Sequence, residues 1–456
     1  MSPKKLLSFM LVAFLLVLTA CGGGNSTEGG QPATPSNEPA ATTPEPASAQ
    51  QPEEEEEPGV DLGGRVIRFA AWWDDTPTED SADGIYRIEQ QEKVKKKYNI
   101  DIQYINIPFE EYMDTVTASI LAGEPLADML VMEYKRALIP AKDGLLLPLN
   151  EFTTGISDVN NEQRLVKKLP TLGGVEYAVA KGAITTVVGV HYNRKIFRDL
   201  NLPDPQELYY KGEWTWEKFL EIARAATRDM DNDGVNDYWG TSGWPADMVR
   251  HFAASNDAYF IHPDELTAGI SDPKFIEAME FVQRVVNVEG VHKVKSGNKT
   301  NWEETSTWKD GDVAMAIMYD WDLGDVEFEF GVVPIPRGPS GSGQWAFANT
   351  SLNGWFIPKG VKDPDIVYQI FEELQDIPQI EEYPGQLWLE GRYTTEADIE
   401  MARNHIMGKG FITLEETVPD FPFYGMIHQL IEENKSPAAI VEENLQVAND
   451  ALAKLK

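Results

Sequence analysis

From Arg65 onward, short apolar runs alternate with stretches of helical period, and that alternation restricts the chain to a small set of folds. Val66–Ala71 reads as a strand, Tyr86–Lys97 as a charged helix and Ile100–Tyr104 as a second strand. A helix follows over Tyr112–Ala122, then a buried-type strand over Asp128–Met132. Strand, helix, strand, helix, strand is the pattern of a parallel sheet with covering helices, because parallel neighbours need a long crossover. The fold class is therefore α/β. Ligands of such sheets sit beyond the carboxyl ends of the strands. Those ends carry Trp72-Trp73-Asp74 and Glu133-Tyr134.

A second series starts with the β-branched run Ile184–Val190, which ends in His191-Tyr192-Asn193. Thr215 is placed to cap a helix whose apolar face holds Trp216, Phe219, Leu220, Ala223 and Ala226, so Trp214 and Trp216 read as core. Phe275–Val286 reads as a helix, and Val313–Met318 and Gly331–Ile335 as strands, the former ending at Tyr319-Asp320-Trp321-Asp322. A third block has a strand over Leu352–Ile357 and a helix opening near Pro364 with Ile366, Val367, Ile370, Phe371 and Leu374 on one side. The last helix has Ser436 as cap and Pro437 in its first turn. No internal repeat is evident.

The N-terminus bears on location. Lys4 and Lys5 precede an apolar run from Leu6 to Leu18, too short for a membrane span of about 20 residues and suited to a signal-peptide core. It leads into Leu18-Thr19-Ala20-Cys21, which resembles a bacterial lipobox. That resemblance implies a signal peptide over residues 1–20, cleavage before Cys21 and a diacylglyceryl group on its sulfur. Two acyl chains anchor stably where one is marginal. The expected location is the extracytoplasmic face of the cell membrane. Residues 21–60 are rich in Gly, Pro, Ala, Thr and Glu and almost free of aliphatic side chains, so they cannot bury a core and read as a disordered tether. A flexible segment of this length reaches about 35 Å.

Charge and cysteine count exclude several chemistries. The 456 residues include 74 Asp and Glu against 39 Lys and Arg, a net charge of -35. Phosphate contacts need clustered Lys and Arg, so no nucleic-acid partner is expected. Cys21 is the only cysteine, which excludes an intramolecular disulfide and a multi-cysteine zinc site, and no HExxH pattern accompanies the six histidines. No nucleophile elbow, phosphate loop or triad spacing appears.

The ordered landmarks resemble those of an extracellular solute-binding protein of the family-1, maltose-binding-protein-like kind that serves ABC importers. They are Ala122-Gly123-Glu124-Pro125-Leu126-Ala127-Asp128, then His191-Tyr192-Asn193-Arg194-Lys195-Ile196-Phe197 and Trp214-Thr215-Trp216-Glu217-Lys218-Phe219. Gly311-Asp312-Val313-Ala314-Met315 and Trp355-Phe356-Ile357-Pro358-Lys359-Gly360 complete the series. The resemblance covers residues 61–456. It implies a two-lobe, periplasmic-binding-protein-like fold with a hinge and a ligand cleft between the lobes. The first lobe is expected at 61–181 and 339–385, the second at 182–338 and 386–456. It implies a monomeric, non-enzymatic receptor that captures a carbohydrate, passes it to importer membrane subunits and closes by hinge motion.

An aromatic face stacks on the C–H face of a sugar ring while carboxylates and amides meet its hydroxyls. The candidate ligand residues are Trp72, Trp73, Glu133 and Tyr134 at strand ends of the first lobe, Asn349 in the loop before the third block, and Trp244, Asp320, Trp321 and Tyr424, where the resemblance implies cleft residues. Separately, Asp229-Met230-Asp231-Asn232-Asp233-Gly234-Val235-Asn236-Asp237 has carboxylates at positions 1, 3, 5 and 9 and a glycine at 6, a calcium-loop pattern. Asp229, Asp231, Asp233, the Val235 carbonyl and Asp237 are the expected ligands of a structural Ca2+. Position 12 is Gly240, so the bidentate glutamate is missing; an acidic turn without metal is the other reading. Two functional alternatives stay open: a glycosidase, which needs only two suitably separated carboxylates, and a receptor that presents ligand to a membrane sensor.

Overall fold

The computed structural model describes residues 60–153, 166–168, 175–181, 185–262, 265–343, 347–349, 352–383 and 385–455. The expected signal peptide, Cys21, the expected tether up to Gly59 and residues 182–184, just after the expected lobe boundary, lie outside these residues. Among the described residues no helix is long and apolar enough to cross a membrane.

Two sheets organise the chain. The first has six strands in the order Ile100–Asn106, Arg65–Ala71, Met129–Glu133, Asn353–Phe356, Ala178–Lys181, Val166–Lys168. Its first three strands are parallel, as the strand–helix alternation requires, whereas Asn353–Phe356 enters antiparallel to both neighbours. The second sheet has the order Phe330–Val333, Val188–Asn193, Val313–Tyr319, Trp239–Ser242, with only the last pair parallel. All seven residues of Val313–Tyr319 and all six of Val188–Asn193 are buried, as central strands covered on both faces should be. Two short ladders add to these: Ile261–His262 with Thr267–Ala268, and Phe347–Asn349 with Gly410–Ile412.

Local chemistry accounts for the helix ends. Ser81 caps Ala82–Tyr98 by accepting from the Gly84 amide, and Lys95, Lys96 and Lys97 lie in the last turn, where the helix dipole favours cations. Thr215 caps Trp216–Ala226 through the Lys218 amide and Ser436 caps Pro437–Ala453 through the Ala439 amide. Trp214 and Trp216 are core, as their positions suggested: the Trp214 indole donates to the Pro334 carbonyl and Trp216 to Ser255. Several boundaries shift from expectation, the first helix beginning at Ala82 and the second at Phe109, and two further shifts have a visible cause or form. Thr185–Val187 stays outside the ladder, and the Val187 carbonyl accepts instead from the Asp320 amide. The helix expected over Phe275–Val286 runs Pro273–Gln283 and then widens into a π-helical segment, Arg284–Val288.

A buried ion cluster ties the C-terminal third to the second sheet. The Asp398 carboxylate, 1% exposed, accepts two bonds from Arg194, at 2.8 and 3.0 Å, and others from Gln206, the Val332 amide and Thr395. Removing one partner of such a cluster strands the rest. Asp398→Ala is expected to cost roughly 3–5 kcal/mol in urea unfolding; a loss under about 1 kcal/mol, the level of an exposed pair, would contradict this role.

Candidate functional site

Four strands end in candidate ligand residues. Arg65–Ala71 leads into Trp72-Trp73, Met129–Glu133 ends in Glu133, Trp239–Ser242 leads through Gly243 to Trp244, and Val313–Tyr319 leads to Asp320-Trp321. On the first-sheet side the aromatic rings pack edge to face. Trp72 lies 5.1 Å from Trp73, 5.5 Å from Phe109 and 5.3 Å from Tyr112. Trp73 and Phe109 are exposed, and the Arg136 guanidinium sits 5.5 Å from the Phe109 ring. On the second-sheet side Trp244 and Tyr424 face each other at 6.2 Å with a 37° tilt, and Trp321, 47% exposed, stacks on Tyr319 at 5.3 Å.

A chain of charges joins these two sets. Arg136 pairs with Glu133, and Lys135 lies 3.8 Å from Glu133. The Lys135 ammonium donates to Glu416 at 2.8 Å, and Glu416 also receives the Arg250 guanidinium. Arg250, 2% exposed, donates further to Glu415 at 2.5 Å and to Asp247 at 2.8 Å. Its guanidinium lies 4.1 Å from the Phe423 ring and 5.8 Å from that of Trp244. Burial opposes ionisation of Glu416, but the Arg250 and Lys135 charges outweigh it and bring its pKa down to about 2. The carboxylate is thus ionised throughout the neutral range. Burial raises the Tyr424 pKa, and the charges of Glu416, Arg250, Asp247 and Arg136 act on it more weakly.

The structure brings Trp72, Trp73, Glu133, Trp244 and Tyr424 into or beside this cluster, and Trp321 follows the Val313–Tyr319 strand end, stacked on Tyr319. Tyr134 departs from the expectation of a stacking face: the 3-10 turn Tyr134–Ala137 folds it inward, fully buried and stacked on Phe356 at 6.1 Å. Asp320 is fully buried as well, accepting from the Trp388 indole at 2.6 Å and the Val187 amide at 3.4 Å. Asn349 pairs by its backbone with Ile412, and its side chain lies outside the described residues. Sequence reasoning passed over Phe109, Lys135, Arg136, Asp247, Arg250, Glu415 and Glu416. Lys135 and Arg136 directly follow Glu133-Tyr134 and were within reach of the strand-end argument. The partnership of Arg250 with Glu415 spans 165 positions and has no local signal.

The acidic loop brings carboxylate oxygens of Asp229, Asp231 and Asp237 within 4.8 Å of one another. The Asp229 carboxylate accepts from the amides of Asn232, Asp233 and Gly234, with Asn232 and Gly234 at positive φ to turn the chain. The Gly234 amide is the main cause of its lowered pKa. Asp233 lies outside the three-carboxylate group and caps the Val235 amide at 2.7 Å. A donor set made only of hard oxygens fits calcium.

These features define an α/β two-lobe fold of the periplasmic-binding-protein kind. The sequence matches the bacterial extracellular solute-binding protein family over residues 78–376, and the chain belongs to that family. No curated protein matches it. Among solved structures, an ABC substrate-binding protein of Listeria monocytogenes in complex with cycloalternan is similar, with a TM-score of 0.60 at 17% identity over 86% of this chain and 99% of that one. A cyclo/maltodextrin-binding protein complexed with maltotetraose gives 0.59 at 16% over 88% and 100%. A maltose/maltodextrin-binding domain of Bdellovibrio bacteriovorus bound to maltotriose gives 0.56 at 15% over 85% and 100%. At these identities the likeness shows the fold.

Burial pushes the Asp320 carboxyl up to about 6, with the Trp388 and Val187 bonds opposing the rise. A raised acid pKa gives stability that is present below about 4 and lost as pH rises through about 6, here about 3 kcal/mol. The melting temperature of Asp320→Asn minus that of wild type should therefore grow from pH 4 to pH 7. A difference constant with pH would contradict the assignment.

Proposed function

We propose that the protein is a membrane-tethered extracytoplasmic receptor that binds an oligosaccharide between two lobes and hands it to an ABC importer. The observation that carries the reading is the pair of aromatic sets, one from each sheet, joined by the Glu133–Lys135–Glu416–Arg250 chain. Aromatic faces flanked by ionised carboxylates and cations suit a polyhydroxylated ring better than an apolar or highly charged ligand. The three similar solved structures each hold a bound saccharide, which supports the same ligand class.

In this reading Trp72, Trp73, Trp244, Trp321 and Tyr424 supply stacking faces, and Glu133 with Glu416 accepts sugar hydroxyls. Tyr134 and Asp320 support the site from beneath, and Asn349 sits on the strand beside it. The lobes comprise 61–181 with the segment up to 385 that enters the first sheet at Asn353–Phe356, and 182–338 with 386–456, to which Phe347–Asn349 is attached by its ladder with Gly410–Ile412; contact from both lobes is what makes binding favour closure. The lipid on Cys21 and the 21–60 tether hold a monomeric receptor at the membrane. Sugar is bound without turnover. Calcium held by Asp229, Asp231, Asp237 and the Val235 carbonyl would brace the loop after the Trp216–Ala226 helix, while Asp233 caps the Val235 amide.

A thermal-shift screen of oligosaccharides, with chromatography of each hit, tests the function. Stabilisation by an intact saccharide is expected; stabilisation by none, or release of hydrolysis products, would overturn it. Trp321→Ala, at a ring 47% exposed, should weaken binding of a confirmed ligand at least about tenfold, the loss of one stacked ring, while the protein still unfolds in one cooperative transition; an unaltered titration would remove Trp321 from the site. For calcium, chelation should lower the melting temperature of protein purified with the metal. Identical melts with and without chelator would refute the ion.

A further inference from the structure

A cavity of about 250 Å³ lies at the carboxyl ends of the Trp239–Ser242 and Val313–Tyr319 strands. Its walls include Ser242, Lys295, Trp302, Glu303, Lys309 and Asp322. None of the last five belongs to the ion chain described above. The cavity nevertheless begins where the second-sheet aromatic set ends. Ser242 and Gly243 form one wall and the next residue is Trp244, while Asp322 lines it directly after exposed Trp321. The Trp244 indole donates to the Thr300 carbonyl at 2.9 Å, which fastens the neighbouring loop to that wall. Gly243 has φ +143, and a Cβ there would lie 2.8 Å from the Ile317 carbonyl oxygen, so the wall runs hard against the strand.

The lining states a chemistry. Lys295 and Lys309 balance Glu303 and Asp322, which selects against a strongly charged occupant. Asp322, with its side chain 15% exposed, accepts from Lys309 at 3.3 Å, which uses one of about four lone-pair sites on the carboxylate. Trp302 is 41% exposed. An aromatic face, a carboxylate with acceptor capacity left and two flexible ammonium donors match a neutral ring bearing several hydroxyls. The volume is enough for about eight waters, so it admits at least one sugar ring.

We infer that this cavity is a single-ring subsite, in which the end of an oligosaccharide lying across Trp244 and Trp321 is held by Trp302, Asp322 and Lys309, so that the receptor selects its ligand by length. The inference rests on the carbohydrate reading and extends it.

The test is calorimetric titration of the full chain and its variants with maltose- and mannose-based di-, tri- and tetrasaccharides. Wild type is expected to gain affinity at the length that first fills the cavity. Trp302→Ala and Asp322→Asn should each remove about tenfold or more of that gain, the loss of one stacked or charge-assisted contact, and leave the disaccharide constant unchanged. Binding with no dependence on length, or variants that weaken every length equally or none, would overturn the subsite and leave the receptor standing. A folded wild type that binds no saccharide would overturn both.

Discussion

The arrangement of the site depends on one buried cation. Arg250 is almost completely removed from water and holds three carboxylates, Asp247, Glu415 and Glu416. Taking a guanidinium out of water costs several kcal/mol, which only good geometry and complete hydrogen bonding offset. Such a cluster fixes its surroundings more than it stabilises them. Asp247 and Arg250 lie on the Pro245–Ala254 helix directly after Trp244, and the guanidinium lies against Phe423, beside Tyr424. Orienting Arg250 therefore orients both aromatic residues. Glu416 then passes the constraint to Lys135, at the end of a first-sheet strand. Because these groups are buried, salt screens them weakly, and the link between the two sheets is insensitive to ionic strength compared with surface pairs.

Much of the scaffold was legible from local pattern. The strand expected over Val313–Met318 spans Val313–Tyr319, and the caps at Thr215 and Ser436 form as their side chains dictate. Burial alternation and capping are decided within a few residues, so a linear reading captures them. The entry of Asn353–Phe356 between Met129–Glu133 and Ala178–Lys181 was not legible, because pairing across that distance leaves no trace in spacing. The same limit applies to the site. Trp244 and Trp321 were singled out through the family resemblance, and Trp72 and Trp73 because strand ends are where ligands lie in α/β sheets. Tyr134 shares that position, yet a single 3-10 turn turns its ring onto Phe356. Arg250, Glu415 and Glu416 are invisible as a cluster until the chain is folded, for each alone is one charge among many.

The acidity of the chain takes on a narrower meaning with the structure. A net charge of -35 first excluded nucleic acid. Eight glutamates, Glu28, Glu38, Glu45 and Glu53 to Glu57, fall within residues 21–60. At the site the carboxylates are largely matched: Asp247, Glu133, Glu415 and Glu416 face Arg250, Lys135 and Arg136. A nearly neutral polar site between aromatic rings favours recognition of hydroxyls over capture of a cation, despite the overall charge.

The central claim is that ligand binds where the two aromatic sets meet the Arg250 chain. Hydrogen–deuterium exchange of the protein with and without a bound trisaccharide tests it most directly. Slowed exchange concentrated at residues 72–73, 133–136, 244–250 and 415–424, on both sheets at once, is the predicted result. Protection confined to one sheet's segments, or lying wholly outside them, would contradict the account.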